Sequence, residues 1–116
     1  MPENILVTTG WPYVNGPPHL GHVAGSLLPA DIFARYQRLI GNNVLMVSGS
    51  DMHGTPTALV AQSLGVSPES VATENHQAFV EAIEKFEISF DLYTRTNTDV
   101  HAEVTQGLFS AILENG

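Results

Sequence analysis

Ile5-Leu6-Val7-Thr8-Thr9 runs into Gly10-Trp11-Pro12-Tyr13-Val14-Asn15-Gly16-Pro17-Pro18 and then into His19-Leu20-Gly21-His22, and the fold turns on this passage. The first five residues are short, apolar and rich in β-branched side chains, which predicts a buried strand. Pro12, Gly16, Pro17 and Pro18 exclude regular structure from the nine residues that follow. From Leu20 to Ile40 the apolar residues Val23, Leu27, Ala30 and Ala34, with Ile32, Phe33 and Leu39, recur at spacings of three and four. That is a helical stripe, ended by Gly41-Asn42-Asn43. Pro29 lies inside it and predicts a kink, or a helix start after Leu28.

Outward from there the pattern repeats. Val44-Leu45-Met46-Val47 reads as a second strand and Ser48-Gly49-Ser50 as a turn. Thr55 as cap and Pro56 at the first position predict a helix to Leu64, stopped by Gly65. Ser67-Pro68 repeats the signal for a helix to Phe86, with an apolar stripe of Val71, Ala78, Ala82 and Phe86. Phe90 to Tyr93 reads as a third strand, and Asp99 as the cap of a last helix through Leu113. This alternation predicts an α/β fold with a parallel sheet and right-handed helical crossovers, the strands near residues 4–9 and 44–48 lying side by side.

The chain has 116 residues, enough for one compact domain. Its 43% hydrophobic content supplies a core. The absence of cysteine excludes disulfides, thiolate nucleophiles and sulfur-ligated zinc. Four basic against twelve acidic residues leave a formal charge of −8, which argues against a stand-alone nucleic-acid binder. No apolar run reaches the roughly 20 residues that cross a bilayer, so the expected setting is the cytoplasm without membrane attachment.

Two loops carry candidate chemistry, because an open parallel sheet places ligands beyond the C-terminal ends of its strands. His19 and His22, three apart at a helix start, sit where unpaired N–H groups and the helix dipole favour a phosphate. Gly21 between them opens the backbone to a close approach. In the second loop, Gly49-Ser50-Asp51-Met52-His53-Gly54-Thr55-Pro56, Asp51 is the sole carboxylate and suits an ammonium group. Gly54 is read as freeing the turn into the next helix, and Asp51 and the histidine pair as bordering one crevice.

Plainer readings stand beside these. His19 and His22 could ligate a metal with Asp51, or simply bond the helix start. His53 could tie one loop to another, and Trp11 and Tyr13 could form a lid over the sheet edge. His76 and His101 belong to no motif and read as packed or solvated. Glu69, Glu74, Glu81, Glu84 and Glu87 read as a wet helix face. The glycine-rich phosphate and dinucleotide loops are both absent.

The string from Trp11 to His22 resembles the "HIGH" signature region of class I aminoacyl-tRNA synthetases. Gly49 to Pro56 is similar to the Asp-x-His-Gly-Thr loop of the methionyl branch, as are Phe33-Ala34-Arg35-Tyr36-Gln37-Arg38, Ser67-Pro68-Glu69 and Phe90-Asp91. The resemblance implies that residues 1–116 form the N-terminal part of a Rossmann-like catalytic domain, an incomplete half of the nucleotide-binding fold. It implies an enzyme that uses ATP, with Mg2+, to activate methionine as methionyl-adenylate and then charges tRNA(Met). His19 and His22 match the catalytic histidines that bond the phosphates, and Gly21 the glycine against which adenine packs. Asp51 matches the carboxylate that holds the amino group. Tyr13, Trp11 and His53 match further substrate-side positions, although Trp11 stands where many methionyl members carry leucine.

The lysine-rich second signature, the connective insertion with any zinc, and the anticodon-binding domain that would meet tRNA(Met) all lie outside these residues. The fragment is therefore expected to be inactive alone and able to self-associate. Two alternatives are a nucleotidyltransferase of the same superfamily and a non-catalytic nucleotide-binding or assembly module.

Overall fold

The computed structural model describes all residues from Met1 to Gly116. Strands β1 (Asn4–Thr8), β2 (Asn43–Ser50) and β3 (Leu92–Arg95) form one parallel sheet in the order β1-β2-β3. Ile5 lies opposite Val44, and Val7 opposite Met46. The first crossover comprises α1 (Leu20–His22), a π-helical turn (Val23–Leu27) and α2 (Leu28–Leu39). The second comprises α3 (Thr55–Leu64) and α4 (Pro68–Lys85), and α5 (Asp99–Asn115) follows β3.

The element order is as the sequence implies, but several boundaries shift. Ser48-Gly49-Ser50 is strand rather than turn, because β3 pairs with it: Ser48 lies opposite Tyr93 and Ser50 opposite Arg95. β3 starts at Leu92 instead of Phe90, since the Asp91 carboxylate, rather than a backbone carbonyl, accepts from the Met46 N–H within β2. Asn43 belongs to β2 rather than to the helix stop. The α3 cap is Gly54, with Thr55 already helical, and α5 is capped by Thr98, whose hydroxyl accepts from the His101 N–H. Gly41 (φ 94°) and Gly65 (φ 68°) do end their helices in the left-handed region that suits glycine. Pro29 sits in the first turn of α2, and the turn before it widens so that Leu28 donates to Val23 five residues back.

The sheet is covered on one face. Val7 and Met46 pack with Leu27, Ala34, Ile83 and Ile88 to form the main core. On the other face Leu6 and Leu45, register partners, are 63% and 53% exposed, so the strands are half-buried rather than fully buried. Ile32, Phe33 and Leu39 are exposed, which confines the stripe of the first crossover to the buried Val23, Leu27 and Ala34 and the half-buried Ala30, which packs against the core. The buried stripe of α4 is Val71, Ala72, Phe79 and Ile83, rotated from the expected set; Ala78 and Ala82 are half-buried and Phe86 is exposed. α5 buries none of its residues. The radius of gyration, 16.7 Å against about 13 Å for a compact domain of this length, reflects that open face and helix.

Polar ties replace part of the missing apolar burial. The Asp31 carboxylate, 5% exposed, accepts from the Ser89 N–H at 2.6 Å, the Ser89 hydroxyl at 2.5 Å and Arg35 Nε at 2.6 Å. Arg38 donates to Asp91 at 2.8 Å, and the same Asp91 oxygen accepts from the Met46 N–H at 2.7 Å. α2 is thus bonded to the segment that leads into β3. Burial pushes the Asp31 carboxyl upward, but the bonds from Ser89 and Arg35 outweigh it and hold it below its ordinary value. Its folded value being depressed, Asp31 contributes stability that is fully present above the ordinary carboxylate range and is lost as pH falls through the folded value. Asp31→Ala should therefore lower stability by about 2 kcal/mol at neutral pH, and by much less in strong acid. Urea denaturation at the two pH values checks both the loss and its disappearance.

Candidate functional site

The two loops meet through backbone. Asp51 donates its N–H to the Pro12 carbonyl at 2.9 Å and accepts from the Val14 N–H at 3.4 Å, making a parallel bridge between Tyr13 and Asp51. The line of β2 therefore continues one residue past its last ladder pair, and that residue is the carboxylate. Asp51 Oδ1 accepts from the His53 N–H at 3.2 Å and from the Thr96 hydroxyl at 3.4 Å, while the Thr96 oxygen accepts from the Met52 N–H at 2.9 Å. The loop after β3 thus braces the loop after β2, a role for Thr96 that no motif announces.

Glycines seat the aromatic residues. A Cβ on Gly49 would lie 2.6 Å from both the Trp11 ring and the Thr94 carbonyl oxygen. One on Gly54 would lie 2.5 Å from the Tyr13 ring. Gly54 has an ordinary extended backbone, φ −103°, so its value is space for Tyr13 rather than freedom to turn. Trp11 packs on β2 yet stays 40% exposed, and Tyr13 is 51% exposed; both present a face to solvent.

His19 and His22 stack, with ring centroids 3.8 Å apart at 22°. The His19 N–H donates to His22 Nδ1 at 3.3 Å, which leaves the proton of a neutral His22 on Nε2. Burial, and then the neighbouring His19, lower the His22 value, so the ring is held in this neutral donor form. A Cβ on Gly21 would approach the His19 ring to 3.0 Å, so the glycine makes room for the stack. Phe79 of α4 meets His22 edge-on at 5.1 Å.

His22 and Asp51 line different hollows rather than the one expected crevice, and His19 lines neither. Trp11, Asp51, His53, Thr96 and His101 surround a space of about 380 Å³. Gly10, Pro12, His22, Ser26, Leu27 and Phe79 line the other. The His53 ring makes no hydrogen bond, so it ties no loops together, and His101 joins the first hollow without having been singled out for it. No three His, Asp or Glu side chains are grouped so as to hold a metal ion, the histidine pair with Asp51 included. The glutamates from Glu69 to Glu87 are exposed, as expected. His76 is packed and partnered: its Nδ1 lies 2.9 Å from the Ser50 hydroxyl.

Comparison with known proteins follows the same lines. The family described as tRNA synthetases class I (M) matches residues 5–116. The methionine–tRNA ligase of Roseiflexus sp. (strain RS-1) is 56% identical over all 116 residues, and that of Thermomicrobium roseum 53% identical over the same length. Each alignment covers 100% of this chain and 20% of the relative, so the chain spans about a fifth of the curated relatives it matches. A solved structure of Mycobacterium tuberculosis methionyl-tRNA synthetase in complex with methionyl-adenylate superposes with a TM-score of 0.83 at 35% identity, covering 87% of this chain and 20% of that one. A second structure of that enzyme bound by methionyl-adenylate gives 0.80 at 34% identity, with 89% and 20% covered. No helix is long and apolar enough to cross a membrane.

The glycine seats make a graded prediction. Gly49→Ala meets a carbonyl oxygen that cannot yield and should cost about 1–3 kcal/mol, while Gly54→Ala meets a movable ring and should cost less. Trp11 is the sole tryptophan of the 116 residues, so its emission should shift in Gly49→Ala and not in Gly54→Ala. Denaturation midpoints and tryptophan spectra of the two variants check the order.

Proposed function

The chain belongs to the class I tRNA synthetase family designated M, and from that membership we propose that residues 1–116 are the N-terminal part of the catalytic domain of a methionine–tRNA ligase. The observation that carries the reading is the 56% identity to such a ligase across every residue of the chain. The proposed reaction begins with attack of the methionine carboxylate on the α-phosphorus of ATP. An oxygen–phosphorus bond forms, the bond to the departing pyrophosphate breaks, and methionyl-adenylate results. A hydroxyl of the terminal adenosine of tRNA(Met) then attacks the methionyl carbonyl, an ester bond forms, and the bond to the phosphate breaks with release of AMP.

Each proposed role rests on a local property. His19 and His22 serve the phosphates, because a neutral His22 with its proton on Nε2 is a hydrogen-bond donor at a helix start. Gly21, which leaves the backbone bare beside them, is where the adenine side would pack. Asp51 holds the substrate ammonium, since a carboxylate bonded by only weak neighbours retains acceptor capacity for a charge-assisted bond. Tyr13, Trp11 and His53 complete the amino-acid side, with Trp11 and His53 lining the same hollow as Asp51. Magnesium enters as the counter-ion of ATP. The side chains present gather no group of three carboxylates or histidines that would hold it.

The remaining expectations follow from charge and exposure. A chain of −8 is a poor tRNA surface, so contacts to tRNA(Met) are assigned to regions beyond these residues. The open face carrying Leu6 and Leu45, with exposed Leu108, Phe109 and Ile112 on α5, favours self-association of the isolated chain. A cytoplasmic location is the setting consistent with a cysteine-free partner in translation.

In the full-length protein, His19→Ala or His22→Ala should slow methionine-dependent ATP–pyrophosphate exchange about 10²–10³-fold with a smaller change in methionine KM. Asp51→Asn should raise methionine KM and leave ATP KM near the parent value. Exchange rates at the parental level in both histidine variants would sink the phosphate assignment. The purified 116-residue chain should show no methionine-dependent exchange and should sediment as more than a monomer. Exchange at a rate comparable with the full protein would place the complete apparatus within Met1 to Gly116.

A further inference from the structure

Two consecutive residues of α4 reach opposite loops of the site. Asn75 Nδ2 donates to the Val14 carbonyl at 3.2 Å, while its second bond, to the Val71 carbonyl at 2.9 Å, anchors the amide to its own helix. Val14 is fully buried and is the residue whose N–H donates to the Asp51 carbonyl. His76 Nδ1 lies 2.9 Å from Ser50 Oγ, and Ser50, with no exposed surface, immediately precedes Asp51. The same Ser50 oxygen lies 3.1 Å from the Tyr93 hydroxyl, and the His76 and Tyr93 rings stack at 5.9 Å and 12°. One helix therefore holds the first loop through Asn75 and the second through His76.

We propose that Asn75 and His76 are positioning residues which set where Asp51 stands against the first loop and thereby govern recognition of the substrate ammonium. The inference rests on the reading of Asp51 as the amino-group anchor and adds what holds that anchor.

Chain connectivity alone does not determine the placement. Asp51 stands beyond the last ladder pair of β2, where only one bond on each side ties it to the first loop. A single bridge is easily deformed, and small errors of placement are costly for a charge-assisted bond. The α4 contacts act on the residues flanking that bridge, Val14 on one side and Ser50 on the other. The partly buried polar cluster of His76 and Tyr93 around the buried Ser50 also imposes direction that an apolar contact of equal volume would not. Burial and then Arg95 hold His76 below its ordinary value, consistent with a neutral ring sharing one proton with Ser50. Phe79, one turn further along α4, packs against His22, so the helix that braces the amino-acid side also touches the phosphate side.

The experiment is pyrophosphate exchange by the full-length protein, with KM measured separately for methionine and ATP. The deaminated analogue of methionine is titrated as an inhibitor alongside methioninol, which keeps the amine. His76→Phe, which keeps a ring without Nδ1, and Asn75→Leu should each raise methionine KM about three- to ten-fold with ATP KM within two-fold. Both should weaken methioninol more than the deaminated analogue. His76→Asn, which restores a polar group near the Nδ1 position, should recover most of the loss. Tyr93→Phe removes one oxygen from the cluster and should give a smaller shift in the same direction, and it serves if His76→Phe does not fold.

A folded His76→Phe with unchanged methionine KM overturns the proposal. So does a parallel rise of both KM values, or an equal loss of the two inhibitors, since a purely structural brace would produce either. Asp51→Asn is measured beside them. If it raises methionine KM while the α4 variants do not, the positioning role alone fails. If it leaves methionine KM unchanged, the anchor reading and the inference built on it fail together.

Discussion

The backbone of Asp51 is bonded on both sides to the first loop, by its N–H to Pro12 and by its carbonyl to Val14, and the remainder of the site is arranged around that pair of bonds. They join the ends of two parallel strands whose intervening crossover contains more than thirty residues. Parallel strands cannot be joined by a tight turn, so their C-terminal loops come together only when each is held by something else. Here the loop after β3 supplies Thr96 against the second loop, and α4 supplies side chains to both. Gly49 and Gly54 then allow Trp11 and Tyr13 to lie against β2 and the second loop at distances a Cβ would forbid. The loops are irregular in backbone but are not loosely held.

The sheet is divided into a covered and an open face. Apolar packing of Val7 and Met46 against α2 is concentrated on one side. On that side two carboxylates, Asp31 and Asp91, receive arginine and backbone N–H donors, so the chain entering β3 is fastened by charge-assisted bonds. Parallel sheets are ordinarily buried on both faces. Here Leu6 and Leu45 on the second face are exposed, as is α5. The loops that carry His19, His22 and Asp51, by contrast, lie beyond the C-terminal ends of the strands.

The two histidines show how chemistry can depend on tautomer and not only on residue type. His22 accepts from the His19 backbone, lies against Phe79 and is kept neutral by burial and by His19 itself. A donor fixed in this way can meet an anion without first losing a competing bond on Nε2.

Local pattern determined a good deal. β-Branched runs specified β1 and the start of β2, Gly41 and Gly65 marked helix ends, and Ser67-Pro68 marked a helix start. His19, His22 and Asp51 were visible because small and polar residues after a strand mark a ligand-facing loop. Where the signal depended on partners distant in the chain, it was not legible. Ser48 to Ser50 looks like a turn until Tyr93 to Arg95 pairs with it, and β3 starts at Leu92 because the Asp91 carboxylate is bonded to Met46 and Arg38. His76, Asn75 and Thr96 carry no motif, and Gly54 suggests a turn when its function is to admit Tyr13. Propensity and periodicity act over a few residues and so are written in the sequence. Hydrogen bonds, steric allowance and the uncovered face of the sheet depend on which distant segments are brought into contact, and only the tertiary structure decided those.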